Sequence, residues 1–146
     1  MYDSIGGYTV NEIEFVVGFD VDRRKVNKPL VDALRAAPNC AMDHVEEILE
    51  NGSNTAGCIK RGAMVYSGPE LDGVAPHMLD YPEEVSFRTG AEAAKSFDDI
   101  VNIVKEAEVD VLVNSAPVGS EKLSKFYIDV ALKAGVHFVN CIPTII

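Results

Sequence analysis

The run from Val109 to Asn140 constrains the fold more than any other part of the chain. Val109-Asp110-Val111-Leu112-Val113-Asn114 is short, apolar and rich in β-branched residues, the pattern of a buried strand. Ser115-Ala116-Pro117-Val118-Gly119 is a bend, and Ser120 is placed to cap a helix. Leu123, Phe126, Tyr127, Val130, Ala131 and Ala134 then line one helical face. Gly135 stands where a helix ends on a left-handed residue, and Val136-His137-Phe138-Val139-Asn140 is a second strand-like run. Strand, helix and strand at this spacing form a βαβ unit, with parallel strands and a right-handed crossover.

The early part of the chain carries a matching pattern. Ile13-Glu14-Phe15-Val16-Val17-Gly18-Phe19-Asp20 reads as a strand buried on both faces and ending in an acid. Val26, Leu30, Ala33, Leu34 and Ala37 predict a helix over Lys28–Ala37, with Pro29 tolerated in its first turn and Pro38-Asn39 stopping it. Later, Ser96-Phe97-Asp98-Asp99 has the form of a capping box with Asp in place of Glu. Phe97, Ile100, Val101 and Val104 continue from it at helical spacing. Residues 38–95 are less regular. They hold a short helix over Asp43–Asn51, a loop over 52–57, a strand within Cys58–Tyr66 that is strongest at Ala63–Tyr66, and turn-rich chain from Ser67 onward. Helices alternating with buried strands predict an open, doubly wound parallel α/β sheet. A length of 146 residues suits one domain, interrupted by an irregular insertion at about 38–95.

Charge narrows the partners. With 13 Lys+Arg against 23 Asp+Glu the net charge is −10, which repels phosphate backbones and anionic membrane surfaces alike. Nucleic acid and membrane are therefore not the expected partners. No apolar run approaches the ~20 residues of a spanning helix. The opening Met1-Tyr2-Asp3-Ser4-Ile5-Gly6-Gly7 lacks the basic and apolar regions of a signal peptide, so a cytoplasmic location is expected. Cys40, Cys58 and Cys141 are odd in number and far apart, as free thiols in a reducing compartment are. His44, His77 and His137 are scattered without ligand spacing, and no metal site is expected.

In doubly wound sheets ligands bind beyond the carboxyl ends of the strands. Three such ends are chemically distinctive: Asp20, Asn114 to Gly119, and Asn140-Cys141-Ile142-Pro143. A carboxylate at the tip of a second Rossmann strand can accept hydrogen bonds from both ribose hydroxyls of NAD, and its charge disfavours the extra phosphate of NADP. The same acid could serve only as a turn or capping residue. Arg23 and Arg24 could accept that phosphate, or could belong with Lys25 and Lys28 to a solvated basic face. The Asn114–Gly119 bend would let backbone approach a ribose or nicotinamide, and the helix it opens offers free N–H groups to an anion. It could equally be a plain βα turn. No G-x-G-x-x-G occurs, and no strand precedes Gly6-Gly7, so the sheet lacks the first glycine-rich βα unit of a Rossmann fold. No Ser/His/Asp arrangement or evident lysine pocket is present, and no residue is singled out as catalytic.

These segments together resemble the prokaryotic myo-inositol phosphate synthase family. The resemblance lies in Gly6 through Asp22 continuing to Arg24-Lys25-Val26, then in Arg61-Gly62, Leu71-Asp72-Gly73, Val109–Asn114 with Pro117-Val118-Gly119-Ser120-Glu121, and Phe138-Val139-Asn140-Cys141-Ile142-Pro143. It covers nearly the whole chain and is weakest over 38–57. It implies a tightly held NAD and a redox-neutral conversion of glucose 6-phosphate to inositol phosphate by oxidation, aldol closure and reduction. It implies an isomerase of inositol and phospholipid biosynthesis that assembles as a homo-oligomer, a tetramer in that family. Carried over residue by residue, it implies cofactor contacts for Asp20, Asp72, Gly73, Asn114, Ser115, Pro117, Gly119 and Asn140. Ser115-Ala116 departs from bulkier residues found in some members. The family's glycine-rich loop and catalytic lysines have no counterpart here, which implies an internal piece of a longer protein, inactive alone. A non-catalytic nucleotide-binding or assembly module, or a piece of another NAD-dependent dehydrogenase, remain alternatives.

Overall fold

The fold was obtained as a computed structural model, which describes residues 4–9, 12–37, 59–90 and 94–144. The helix expected over Asp43–Asn51, the loop over 52–57, Cys40, His44 and Cys58 lie outside the described residues.

The described chain is a mixed α/β structure. Its order is β1 (Phe15–Asp20), α1 (Leu30–Arg35), β2 (Ile59–Ser67), two 3-10 turns (Leu71–Gly73 and Pro76–Asp80), α2 (Phe97–Glu106), β3 (Val111–Asn114), α3 (Glu121–Ala134) and β4 (His137–Asn140). α1 is shorter than expected because Pro29 is extended (φ −52°, ψ 139°) and begins the helix as its cap instead of joining its first turn. Residues 27–29 instead lie along β2. The Asn27 amide donates to the Val65 carbonyl at 2.7 Å, and the Val65 amide donates to Lys28 at 3.0 Å. α2 starts at the expected capping box: Ser96 Oγ accepts from the Asp99 amide, and the Asp99 carboxylate accepts from the Ser96 amide. α3 ends on Gly135 at φ 80°, the left-handed residue its position predicts.

The strands form two separate parallel pairs, β1 with β2 and β3 with β4. A single doubly wound sheet was expected; among the described residues nothing lies hydrogen-bonded between β1 and β3, so the sheet is divided there. This also explains why β1 is only half-buried, with Phe15 exposed, rather than enclosed on both faces.

The core joins the halves. Ile100, Val101 and Val104 of α2 pack with Val130 of α3, and Phe19 of β1, Leu112 of β3 and Val136 close around them. Phe97 meets Phe126 edge-on at 5.6 Å between ring centroids, and Phe19 tilts against Tyr127 at 5.8 Å. α2 and α3 thus share one side of the strands. α1 lies on the other, where Gly18 sits close beneath Leu30.

Candidate functional site

Several contacts put all four carboxyl strand tips on one rim. The Gly68 amide donates to Asp20 O at 2.9 Å, joining the tips of β1 and β2. The Cys141 amide donates to Asn114 O at 2.9 Å, joining those of β3 and β4. The two pairs meet where Asp72, just past β2, reaches the start of α3, just past β3. Its two carboxylate oxygens accept from the Leu123 amide at 3.0 Å and the Lys122 amide at 2.8 Å. Tyr127, in the second turn of α3, packs its hydroxyl over Gly68; a Cβ there would lie 2.6 Å from that oxygen.

Asp20 is positioned by its own backbone. Its Oδ1 accepts from the amides of Val21 (2.7 Å) and Asp22 (2.8 Å), while among the described residues no hydrogen bond engages Oδ2. The neighbouring arginines are already committed. Arg24 grips the buried Asp22 through Nε at 2.9 Å and Nη2 at 2.6 Å, and donates to the carbonyls of Glu83 and Ser86. Arg23 pairs with Glu83 at 2.6 Å. These bonds pin the irregular 81–88 segment against the β1 tip. Burial works to raise the Asp22 carboxyl, but the Arg24 bonds and charge outweigh it and hold the group below the usual carboxylate range. The phenol of Tyr127 is pushed upward by burial and, secondarily, by the Asp20 carboxylate. A pocket of about 20 Å³, lined in part by Val21, Arg23, Ser67, Gly68 and Glu70, opens beside this tip.

At the other half of the rim a buried polar network shapes the bend after β3. Asn114, 5% exposed, donates through Nδ2 to Ser124 Oγ and to Asn140 Oδ1, both at 2.9 Å, and accepts from the Ala116 amide at 3.2 Å. Asn140 donates onward to Ile142 O at 3.0 Å. Ser124 Oγ donates to Ser120 O at 2.6 Å. Ser120, expected to cap α3 with its hydroxyl, turns that hydroxyl to Pro117 O instead, and no side-chain cap bond forms. Asp72 occupies the helix start in its place. The free N–H groups that a βα bend offers to an anion are therefore partly consumed from within the chain. For Asp72, burial pushes the carboxyl up, but the Lys122 and Leu123 amides together outweigh it, so it sits below its ordinary value.

The candidate residues divide accordingly. Asp20, Ser115, Pro117 and Gly119 present themselves at the rim, the last three exposed. Asn114, Asn140 and Asp72 spend their polar atoms holding the bend and α3 in place. Gly73 is buried against Leu123, whose Cδ2 would stand 2.8 Å from a Cβ there. Sequence reasoning missed Ser124, Tyr127 and the Asp22–Arg24 pair. Ser124 was detectable as a lone hydroxyl four residues after Ser120 on an apolar helix face. Tyr127 fits that face as well as any core aromatic, so nothing in its spacing marks the hydroxyl. Among the described residues no three His, Cys, Asp or Glu side chains converge as a metal site would need, and no helix is long and apolar enough to cross a membrane.

No protein-family profile matches the chain. Curated relatives do. The inositol-3-phosphate synthases of Mycolicibacterium smegmatis, Mycobacterium tuberculosis and Corynebacterium glutamicum are each 38% identical over all 146 residues. The chain spans about a third of their length, 35% in each. A solved structure described as the crystal structure of Ari2 superposes with a TM-score of 0.69 at 28% identity, over 99% of this chain and 36% of that one. The resemblance carried by the motifs thus extends across the whole chain: it is similar throughout to about one third of an inositol-3-phosphate synthase.

Proposed function

We propose that this chain is the cofactor-domain portion of an inositol phosphate synthase, a partial Rossmann-like domain whose rim holds the adenosine end of NAD. The observation that carries the reading is the state of Asp20. Its backbone fixes the carboxylate at the β1 tip, and among the described residues no hydrogen bond reaches Oδ2. That is the arrangement a ribose diol needs, since both hydroxyls can donate to one fixed carboxylate. The engagement of Arg23 and Arg24 by Glu83 and Asp22 favours NAD over NADP, because each guanidinium already has a carboxylate partner that a second phosphate would have to displace.

The residues present fit the group in part. Asp20 would hold the ribose, and the exposed Ser115, Pro117 and Gly119 would flank the cofactor as it crosses the rim. Asn114, Ser124 and Asn140 would keep that bend preshaped, so that little ordering is left to binding. Bound NAD supplies reversible hydride transfer with a sugar phosphate. This chain orients the cofactor, and the reading gives none of its described residues a part in the remaining chemistry, so it assigns the chain no turnover alone. Cytoplasmic location and homo-oligomeric assembly belong to the same proposal.

The test is replacement. The matching third of the Mycobacterium tuberculosis inositol-3-phosphate synthase is exchanged for these residues, and NAD-dependent conversion of glucose 6-phosphate is measured. The reading expects activity to survive and Asp20→Ala to weaken NAD by roughly tenfold or more, the worth of a hydrogen bond to a charged group. A folded chimera with no turnover, or an Asp20→Ala chimera with unchanged NAD dependence, refutes it.

A further inference from the structure

Among the described residues Asn27, Leu71 and Glu108 hold positive φ without being glycine. Two of them have local reasons. Asparagine tolerates the left-handed region, and the Asn27 amide is tied to the Val65 carbonyl at 2.7 Å. Glu108 follows the last residues of α2, where a left-handed residue commonly stops a helix. Leu71, at φ 34°, has neither reason, and it holds a bulky side chain where L-residues meet a steric cost. That conformation does not bury the side chain, which is 49% exposed.

The turn is fixed from both sides. Gly68, three residues earlier, donates its amide to Asp20 O at the β1 tip. Asp72, the next residue, accepts from the Lys122 and Leu123 amides beyond β3. Gly73 packs against Leu123, and its amide donates to Glu70 O at 3.2 Å. The chain therefore crosses the rim from the β1 tip to the start of α3 over residues 68–72, and Leu71 stands in the crossing. Glu70 lines the small pocket beside Asp20. A larger groove of about 250 Å³, bounded by Val16, Lys60 and Glu106 among others, lies toward the amino ends of β1 and β2, away from this turn. Strain that its surroundings over-determine, at a side chain the core does not use, points to a function for that side chain.

We propose that Leu71 is a cofactor-contacting residue, its side chain held out over the rim to cover the apolar surface of the adenosine bound by Asp20. The inference rests on the reading of this chain as an NAD-binding portion. A dinucleotide running from Asp20 to the Ser115–Gly119 bend passes the segment that crosses between them. Asp20 offers a fixed acceptor to hydroxyl groups, and an adenosine also has a flat base whose surface gains from leaving water. Glycine would adopt φ 34° without strain but would present no apolar surface; leucine presents the surface and carries the strain. The Asp72 bonds to α3 and the packing of Gly73 keep that strain in place before any ligand arrives. The side chain is thus already positioned, and binding need not order it.

The experiment separates stability from binding. Thermal unfolding is followed on the chain itself, and calorimetry measures equilibrium binding of NAD and of ADP-ribose to the chimera described above. Leu71→Gly removes both the strain and the side chain. It should raise the Tm by roughly 2–4 °C and weaken both ligands by roughly three- to tenfold, the worth of burying the exposed half of a leucine. Leu71→Ala keeps a Cβ and with it the strain, so it should weaken both ligands by a similar factor without raising the Tm. A Leu71→Gly chain whose Tm does not rise overturns the inference, because the side chain then serves the fold. So does unchanged affinity in both variants while Asp20→Ala weakens NAD, or a loss seen with NAD and absent with ADP-ribose, which would place the contact away from the adenosine. A chimera that binds no NAD, or one in which Asp20→Ala has no effect, refutes the proposed function and this inference with it; the Asp20 variant thereby tells the two failures apart.

Discussion

Removal of the Asp72 carboxylate should loosen the rim by a calculable amount. Asp72 accepts from the Lys122 and Leu123 amides at 2.8 and 3.0 Å, the role that Ser120 declines. Asp72→Ala leaves both amides without a chain partner, and that of Leu123 is partly shielded from water. Loss of a helix cap costs about 1 kcal/mol. Loss of a negative charge at a helix N-terminus adds about 0.5 kcal/mol. The total, about 1.5 kcal/mol, corresponds to a Tm lower by roughly 3–6 °C for a chain of this size. Asp72→Asn keeps an acceptor but not the charge and should lose about half as much. Because the folded carboxyl lies below its ordinary value, this stability is present above the unfolded pKa and disappears as pH falls through the folded one. Wild type and Asp72→Ala should therefore converge in acid. Urea titration gives the free energies, and amide exchange at Lys122 and Leu123 shows whether the loss is local. An Asp72→Ala chain as stable as wild type at neutral pH, with slow exchange at both amides, refutes the capping role.

Two further outcomes follow from the rim. Gly68→Ala places a methyl 2.6 Å from the Tyr127 hydroxyl position and should cost about 1–3 kcal/mol; adding Tyr127→Phe should recover much of it in a double-mutant cycle, and purely additive effects would contradict the contact. Asp22, 2% exposed, is held ionised by Arg24 against the cost of burial, so Asp22→Asn should destabilise by about 2–3 kcal/mol at neutral pH and flatten the acid limb of stability below roughly pH 4; parallel limbs would contradict that pairing.

The parts of the fold legible in the sequence are those dictated locally. The Ser96–Asp99 capping box, the left-handed Gly135 and the β3–α3–β4 unit each rest on residues close together in sequence, and the structure reproduces them, except that Val111 and Val113 of β3 are exposed where a buried strand was expected. What was not legible depends on distant partners. Ser120 looks like a cap, but Asp72, 48 positions earlier by number, takes the amides instead. Arg23 and Arg24 read as either a phosphate clamp or a solvated face; the structure ties Arg24 to the buried Asp22 and pairs Arg23, half-exposed, with Glu83, partners 60 positions away in one case and too close to notice in the other. Asn114 and Asn140 read as ligand contacts because amides at strand tips can bond anything. Only the positions of Ser124 and Ala116 show that Asn114 is spent internally. The division of the sheet was not legible either, because which strands pair is decided between segments far apart in sequence, and among the described residues β1 pairs with β2 and β3 with β4.

The claim underlying these readings is that the tips of four strands converge into one nucleotide rim centred on Asp20. A chemical-shift map of the isotopically labelled chain titrated with NAD tests it most directly. Perturbed amides should cluster at Asp20–Asp22, Ser67–Gly68 and Ser115–Gly119, weaken in Asp20→Ala, and respond less to NADP. Shifts confined to the groove near Val16, Lys60 and Glu106, or the same shifts with Asp20 removed, would contradict it.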